Sequence, residues 1–278
     1  METAPLVHTT AAGVKRRMTA KEVVVTLIAG VSLMFLGGAA MAQDSAGSKG
    51  NIVLVHGAWA NGSSWDGVIQ RLQAEGYNVI APNFALGALA GDVAQLRRIL
   101  SIQDGPTLVV GHSYGGVIIS ALSGDAPNVA GLVFVASFGL DEGESINGLL
   151  GDGPPPPGLA HLHVDAYGYV WMPEADFLGH FAPDVEPVLA RAMYAAQQPG
   201  LGEGFGMPMV TPSWRSHPTW YVIASNDAVL PAPAQHFFAQ RMGATVLELE
   251  ASHVVMVSRP DEVAAFIVSA AKIALGSD

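Results

Sequence analysis

The chain has 278 residues, half of them hydrophobic, and carries a formal net charge of −11. That length suits one large domain or two small ones, and the apolar content allows a sizeable core. The absence of cysteine excludes disulfides, thiolate metal sites and a cysteine nucleophile. The acidic balance repels nucleic acid, so we expect no nucleic-acid partner.

The N-terminus predicts a secretory signal peptide over residues 1–42. Four basic residues between positions 15 and 21 precede the uncharged run 23–36, and the small-residue sequence Ala-Met-Ala follows at 40–42. The alternative is an uncleaved membrane anchor, because all 20 residues of 23–42 are uncharged. Cleavage after Ala42 leaves residues 43–278 as a periplasmic or secreted domain with no stable membrane span.

Short apolar runs further along the chain predict six strands. They occupy residues 51–57, 77–83, 107–113, 129–137, 219–225 and 245–250. Most are nearly continuous in apolar residues and rich in Val and Ile, which is typical of strands buried on both faces of a parallel sheet.

Helical patterns lie between these runs. They occupy residues 63–74, 90–101, 114–122, 232–242 and 259–275. We expect capping-box-like starts from Ser63 with Asp66, and from Ser258 with Asp261. The alternation of strand and helix predicts an α/β fold, a mostly parallel sheet of about six strands with helices on both faces.

Residues 139–218, between the fourth and fifth predicted strands, break this alternation. A single crossover needs far fewer residues. The segment holds the proline-rich stretch 151–159 and many aromatic and Met residues. Only a polyproline conformation suits that stretch. We interpret 139–218 as a partly helical cap insertion that builds a pocket at the carboxyl ends of the strands.

The third strand runs into the sequence Gly-His-Ser-Tyr-Gly-Gly at 111–116. This fits the pattern G-x-S-x-G between a strand and a helix, which predicts a sharp turn with the Ser113 hydroxyl exposed above the sheet. Glycines at 111 and 115 are needed because strand and helix nearly touch there. Ser113 is therefore the predicted nucleophile.

A serine nucleophile needs an acid and a base, in the chain order Ser, Asp/Glu, His. Asp227 follows the fifth strand and His253 follows the sixth, so both reach the edge of the sheet that holds Ser113. In these roles His253 takes the serine proton and Asp227 fixes its tautomer. Asp141 and Glu142, after the fourth strand, are alternative acids.

Two backbone N–H groups are predicted to form the oxyanion hole. One belongs to Tyr114, the residue after the nucleophile, and the other to Ala58 in the loop after the first strand. In that loop His56 is interpreted as an orienting residue. His112, inside the turn, is predicted to be packed rather than to act as the base.

The spacing of other polar residues implies no cofactor and no metal. His161 and His163 alternate near Asp165, but no third ligand is set by spacing.

The chain resembles the α/β-hydrolases, in their esterase and hydroxynitrile-lyase-like branch. The resemblance covers roughly residues 50–275 and is carried by 53–59, 111–116, 225–231 and 252–263. It implies the fold, the triad of Ser113, Asp227 and His253, and the same two oxyanion donors. Lyase members carry a threonine where this chain has Gly57 and a lysine where it has Val254, which disfavours cyanohydrin cleavage.

The predicted function is hydrolysis of a neutral, fairly apolar carboxylic ester through an acyl-enzyme. Residues 140–218 contain ten Asp/Glu and two Arg, so an anionic substrate is disfavoured. Lactone or amide cleavage uses the same machinery. A hydroxynitrile lyase and a non-hydrolytic ligand-binding protein are the remaining alternatives.

Overall fold

The computed structural model describes two units of the chain. The described residues are 7–9, 15–17, 47–122, 126–151 and 153–276. The first unit, Met1–Ala46, is described only as an antiparallel pair of strands, β1 (Val7–Thr9) and β2 (Lys15–Arg17).

The predicted signal segment remains a prediction. Its apolar run 23–36 and its cleavage site at Ala42 lie outside the described residues. Within the described part of the chain, no helix has the length and apolar character to cross a bilayer.

The second unit, Gly47–Asp278, is built on a six-stranded sheet. The described strands of this unit, six in this sheet and three in a smaller one, are in chain order β3 (Asn51–Val55), β4 (Asn78–Ile80), β5 (Thr107–His112), β6 (Val129–Val135), β7 (His163–Val164), β8 (Tyr169–Trp171), β9 (Gly200–Leu201), β10 (Thr219–Ala224) and β11 (Thr245–Leu249). The sheet has the order β11-β10-β6-β5-β3-β4, and all its pairs are parallel. The six predicted strands are confirmed, each ending one to three residues earlier than predicted.

Burial explains why these segments read as continuous apolar runs. Every residue of β3, β5 and β10 is buried, because helices cover both faces of the sheet centre. The edge strands differ: β4 is half-buried, and β11 alternates between half-buried and exposed residues.

Helices connect the strands. They are α1 (Asp66–Ala74), α2 (Leu89–Ser101), α3 (Tyr114–Ser120), α4 (Ile146–Leu150), α5 (Glu174–Asp176), α6 (Pro187–Ala195), α7 (Gly202–Gly206), α8 (Ala232–Met242), α9 (Val255–Ser258) and α10 (Pro260–Leu275). Helix α1 packs against α10, and α2 packs against α3. The predicted α/β fold with helices on both faces is confirmed.

Both predicted capping boxes are wrong. A 3₁₀ turn, Gly62–Trp65, precedes α1; the Asn61 side chain accepts from the Ser63 N–H, and the Ser64 hydroxyl accepts from the Asn61 N–H. Ser258 closes the short helix α9, and α10 begins at Pro260 without a side-chain cap. Proline suits a first helical position, because the N–H that it lacks has no intrahelical partner there.

The cap lies between β6 and β10, as predicted. Besides short helices it contains a three-stranded antiparallel sheet, β7-β8-β9, which the sequence analysis did not anticipate. Within the proline-rich stretch, Pro157–Leu159 forms a 3₁₀ turn rather than an extended polyproline segment. A π-helical turn, Phe177–Phe181, continues α5, and a 3₁₀ turn, Ser213–Arg215, precedes β10.

Candidate active site

Ser113 sits on a strained turn between β5 and α3. Its backbone has φ 52° and ψ −121°, a region that non-glycine residues rarely adopt. The turn is tight enough that a Cβ on Gly111 would lie 2.7 Å from the Gly115 carbonyl oxygen, and one on Gly115 would lie 2.5 Å from the Val55 carbonyl oxygen. Glycine at both positions is therefore a steric requirement.

Gly115→Ala is expected to lower the free energy of unfolding by about 3 kcal/mol, because the new methyl meets backbone that cannot move aside. Urea unfolding measures this change. Gly91→Ala in α2 is the matched control, since nothing lies within 4 Å of its added Cβ and alanine is the better helix former. We expect it to raise stability by up to about 1 kcal/mol. An equal decrease in the free energy of unfolding of both variants would contradict the steric argument.

A buried hydroxyl pair supports the nucleophile turn from below. The Ser137 hydroxyl donates to the Ser113 carbonyl at 2.7 Å. The Tyr221 hydroxyl in turn donates to the Ser137 carbonyl and accepts from the Ser137 N–H. Burial raises the pKa of Tyr221, so it stays a neutral hydroxyl.

His253 joins Ser113 to Asp227. Its Nε2 lies 2.9 Å from Ser113 Oγ, and its Nδ1 lies 2.7 Å from Asp227 Oδ2. The carboxylate only accepts, so Nδ1 carries the proton and Nε2 is left to accept the serine proton. The structure thus brings the three predicted residues into one hydrogen-bonded chain, and all three are buried.

The surroundings of Asp227 fix its carboxylate. Oδ1 accepts from the N–H groups of Val229 and Leu230, at 2.8 and 2.9 Å. The alternative acid, Asp141, lies elsewhere, in an ion pair with Arg215 at 2.6 Å. Asp227 is therefore the acid that the geometry favours.

Gln235 in α8 is a partner of the site that the sequence analysis missed. It is fully buried and donates to Asp227 Oδ2 at 2.9 Å, the oxygen that also accepts from His253. The same side chain donates to the Leu230 carbonyl and accepts from the Ala224 N–H. A glutamine in the first turn of a helix forms no sequence pattern that could have revealed this role.

Asp184, from the cap, holds the loop that carries His253. Its carboxylate accepts from the Ser252 N–H at 2.8 Å and from the Ser252 hydroxyl. The Phe181 ring packs against the His253 ring, with centroids 5.2 Å apart. The cap therefore contacts the base directly, which the sequence did not indicate.

The loop after β3 lies against the nucleophile. A Cβ on Gly57 would lie 2.6 Å from the Ser113 Cβ, so no larger residue fits there. His56 donates from Nδ1 to the Gly57 carbonyl and accepts at Nε2 from the Phe84 N–H, both at 2.9 Å. Burial lowers the pKa of His56 to about 4, so the ring is neutral, as these two bonds require.

His112 is packed within the turn. Its Nε2 donates to the His253 carbonyl at 2.9 Å, and burial lowers its pKa well below the usual value. It hydrogen-bonds to the backbone of the loop that carries His253 and packs against the His253 ring, with centroids 4.8 Å apart.

A cavity of about 320 Å³ opens above Ser113. Ala58 and Tyr114, the predicted oxyanion donors, line it together with Ser113. The cap supplies mostly apolar walls, including Ile146, Leu150, Leu159, Val164, Val170 and Phe205. Among the described residues that line the cavity, none is charged.

His161 and His163 of the cap do not line this cavity, although their neighbours Leu162 and Val164 do. His161 Nδ1 is 3.1 Å from Asp176 Oδ2, and His163 lies on β7. Across the described ranges, no group of three or more His, Asp or Glu side chains is placed to hold a metal ion.

The parallel sheet, the strained serine turn and the hydrogen-bonded Ser-His-Asp chain are features of an α/β-hydrolase. Residues 52–266 match the model of the alpha/beta hydrolase family, and the chain belongs to this family.

Two curated relatives of this chain are named as hydrolytic enzymes. The pyrethroid hydrolase of Sphingobium wenxiniae is 28% identical over 248 residues, which cover 77% of this chain and 85% of the relative. The carbendazim hydrolyzing esterase of a Nocardioides species is 26% identical over 237 residues, covering 77% and 96% respectively. Together with the family match, these relatives support a hydrolase activity for this chain.

Solved structures agree on the fold. A pyrethroid hydrolase from Sphingobium faniae superposes with a TM-score of 0.70 at 25% identity, over 80% of this chain and 97% of that one. Polyneuridine aldehyde esterase gives a TM-score of 0.72 at 18% identity, over 80% and 98%, a likeness of fold alone.

Proposed function

We propose that this protein is a serine carboxylesterase with Ser113 as its nucleophile. The observation that carries the proposal is the chain of two hydrogen bonds from Asp227 through His253 to the hydroxyl of a strained serine. A serine hydroxyl is a weak nucleophile until an adjacent base removes its proton, and this arrangement supplies that base.

The mechanism has two halves. Ser113 Oγ attacks the ester carbonyl as His253 Nε2 takes its proton, and the imidazolium then protonates the leaving alcohol to give an acyl-enzyme. Water, deprotonated by His253, attacks the acyl-enzyme and frees the acid and the serine. The Asp227 carboxylate stabilises the imidazolium, and it accepts hydrogen bonds from two backbone N–H groups and from Gln235.

The negative charge that develops on the carbonyl oxygen needs donors held in place beforehand. We assign this role to the backbone N–H groups of Ala58 and Tyr114, two residues that line the cavity together with Ser113. Removing one such donor typically lowers the rate by about 10²–10³-fold.

The cavity walls support a neutral, fairly apolar substrate. Aliphatic and aromatic side chains dominate the lining, and the polar side chains there are those of Ser113, Tyr114 and Asn147. A carboxylate bound in such walls would lose its hydration without gaining a charged partner. The names of the pyrethroid hydrolase and the carbendazim hydrolyzing esterase are consistent with ester hydrolysis by this chain.

A matched pair of substrates tests this proposal. We expect p-nitrophenyl hexanoate to be hydrolysed with a kcat/KM at least about 10²-fold above that of mono-p-nitrophenyl adipate, which has the same chain length and ends in a carboxylate. Release of p-nitrophenol measures both rates. Comparable values of kcat/KM would contradict the preference for an apolar substrate. If neither ester is hydrolysed but lactones or amides are, the protein is a lactonase or an amidase instead.

A further inference from the structure

Trp59, directly after the Ala58 donor, has an unusual backbone conformation. Its φ is 61°, in the left-handed region that a bulky residue rarely occupies. Such a conformation costs about 1–3 kcal/mol and persists only where surrounding contacts hold it. The φ torsion at Trp59 also sets the direction of Ala58 relative to the chain that follows, so whatever holds Trp59 also aims Ala58.

Trp59 donates two hydrogen bonds to carbonyl groups of the cap. The Trp59 backbone N–H donates to the Gln198 carbonyl at 2.7 Å, and its indole N–H donates to the Val170 carbonyl at 2.9 Å. Val170 lies on β8 and pairs with Gly200 of β9, two residues after Gln198. Val170 therefore belongs to the small cap sheet and Gln198 to the segment that leads into it, and Trp59 is only 5% exposed.

Aromatic contacts extend this attachment to the second donor. Phe205 of α7 packs against the Trp59 ring at 6.3 Å and edge-on against the Tyr114 ring at 5.4 Å. The fit is tight, since a Cβ on Gly204 would lie 2.8 Å from the Tyr114 hydroxyl. Through Phe205 the cap therefore contacts Trp59, which follows the proposed donor Ala58, and Tyr114, which is the other proposed donor.

We infer that Trp59 is a positioning residue through which the cap sheet holds the oxyanion loop, so that the Ala58 N–H is aimed into the cavity. The inference rests on the proposed esterase function. It gives the cap a second role: besides walling the pocket, it completes the site that stabilises the transition state. Loss of either cap hydrogen bond lets Trp59 relax toward negative φ and turns Ala58 away.

Trp59→Phe tests this role, because it keeps a ring in the wall and removes the indole N–H. We expect kcat to fall about 10–100-fold with KM changed less than about 3-fold, since the donor is misaligned rather than deleted. Inhibition by a trifluoromethyl ketone, whose serine adduct carries an oxyanion, should weaken by a similar factor. A raised KM with unchanged kcat would reduce Trp59 to a pocket wall and overturn the inference.

Trp171→Phe is the matched control. Trp171 lies on β8, next to Val170, and its indole N–H also donates one hydrogen bond, to Asp165 Oδ2 at 3.0 Å. It is more exposed and does not line the cavity. We expect wild-type kcat and inhibitor affinity; a loss equal to that of Trp59→Phe would show a general effect on the cap and contradict the specific role.

Hydrogen exchange separates this inference from the proposed function. Backbone amides of residues 56–60 should exchange faster in Trp59→Phe than in the wild type or Trp171→Phe, whatever the protein hydrolyses. Unchanged exchange would overturn the positioning role even in an active esterase, whereas an inactive wild type would count against the esterase alone. Should Trp59→Phe fold poorly, β-(3-benzothienyl)alanine at position 59 keeps the fused-ring shape without the N–H, and wild-type kcat there would refute the inference.

Discussion

Ser113→Ala is expected to lower kcat/KM for p-nitrophenyl esters by about 10⁶-fold, the loss typical of removing a triad nucleophile. The variant keeps the methylene that packs in the turn and removes only the hydroxyl that lies 2.9 Å from His253 Nε2. Without it no acyl-enzyme forms, and the pocket and oxyanion donors are left to act on attack by water alone. Initial rates of p-nitrophenol release measure the loss.

Covalent labelling provides a second readout of the same change. A fluorophosphonate probe should label the wild type at Ser113 and leave the alanine variant unlabelled. Ser269→Ala, at an exposed serine of α10, is the control and should keep both activity and labelling. If Ser113→Ala still hydrolyses the ester and its urea midpoint is unchanged, Ser113 is not the nucleophile.

The sheet and the nucleophile turn could be predicted because local sequence alone sets them. Strands buried on both faces must be apolar throughout, so β3, β5 and β10 stand out as continuous runs. Backbone contacts under 3 Å at Gly111 and Gly115 exclude any side chain, so the two glycines mark the turn in the sequence. The positions of Asp227 and His253 then follow from the ends of two further strands.

The contacts that support the site could not be predicted in the same way. Asp184 and Trp59 each bond to a segment distant in the chain, and Gln235 bonds to Asp227 in the loop that precedes its own helix. Their partners include backbone groups, and a backbone carbonyl or N–H is offered by almost any residue. No residue type or spacing therefore marks these contacts.

The three-stranded sheet of the cap could not be predicted for a different reason. Its strands β7, β8 and β9 are two or three residues long, too short to show an alternating pattern. Several apolar side chains of the cap are exposed, including Val164, Val188 and Val210. In this segment, hydropathy therefore distinguishes buried from exposed residues poorly.

Asp227→Asn is expected to lower kcat/KM by about 10⁴-fold with little change in fold. Two backbone N–H groups hold Oδ1, so the asparagine oxygen takes that place and its NH₂ replaces Oδ2, against His253 Nδ1. Facing a donor, Nδ1 must accept, and the imidazole proton moves to Nε2. The ring then presents an N–H to Ser113 and cannot remove its proton. Steady-state kinetics on p-nitrophenyl hexanoate measure the loss.

Asp141→Asn makes the same change at the alternative acid and serves as the matched control. Asp141 is a partly exposed member of an ion pair with Arg215, for which we expect a stability cost under about 1 kcal/mol and near-wild-type kcat/KM. The two variants together place the acid: a large loss at position 141 with a small one at 227 would reverse the assignment. Because Asp227→Asn leaves the Ser113 hydroxyl in place but removes the base that deprotonates it, the residual activity of this variant should rise with pH as hydroxide takes over that role.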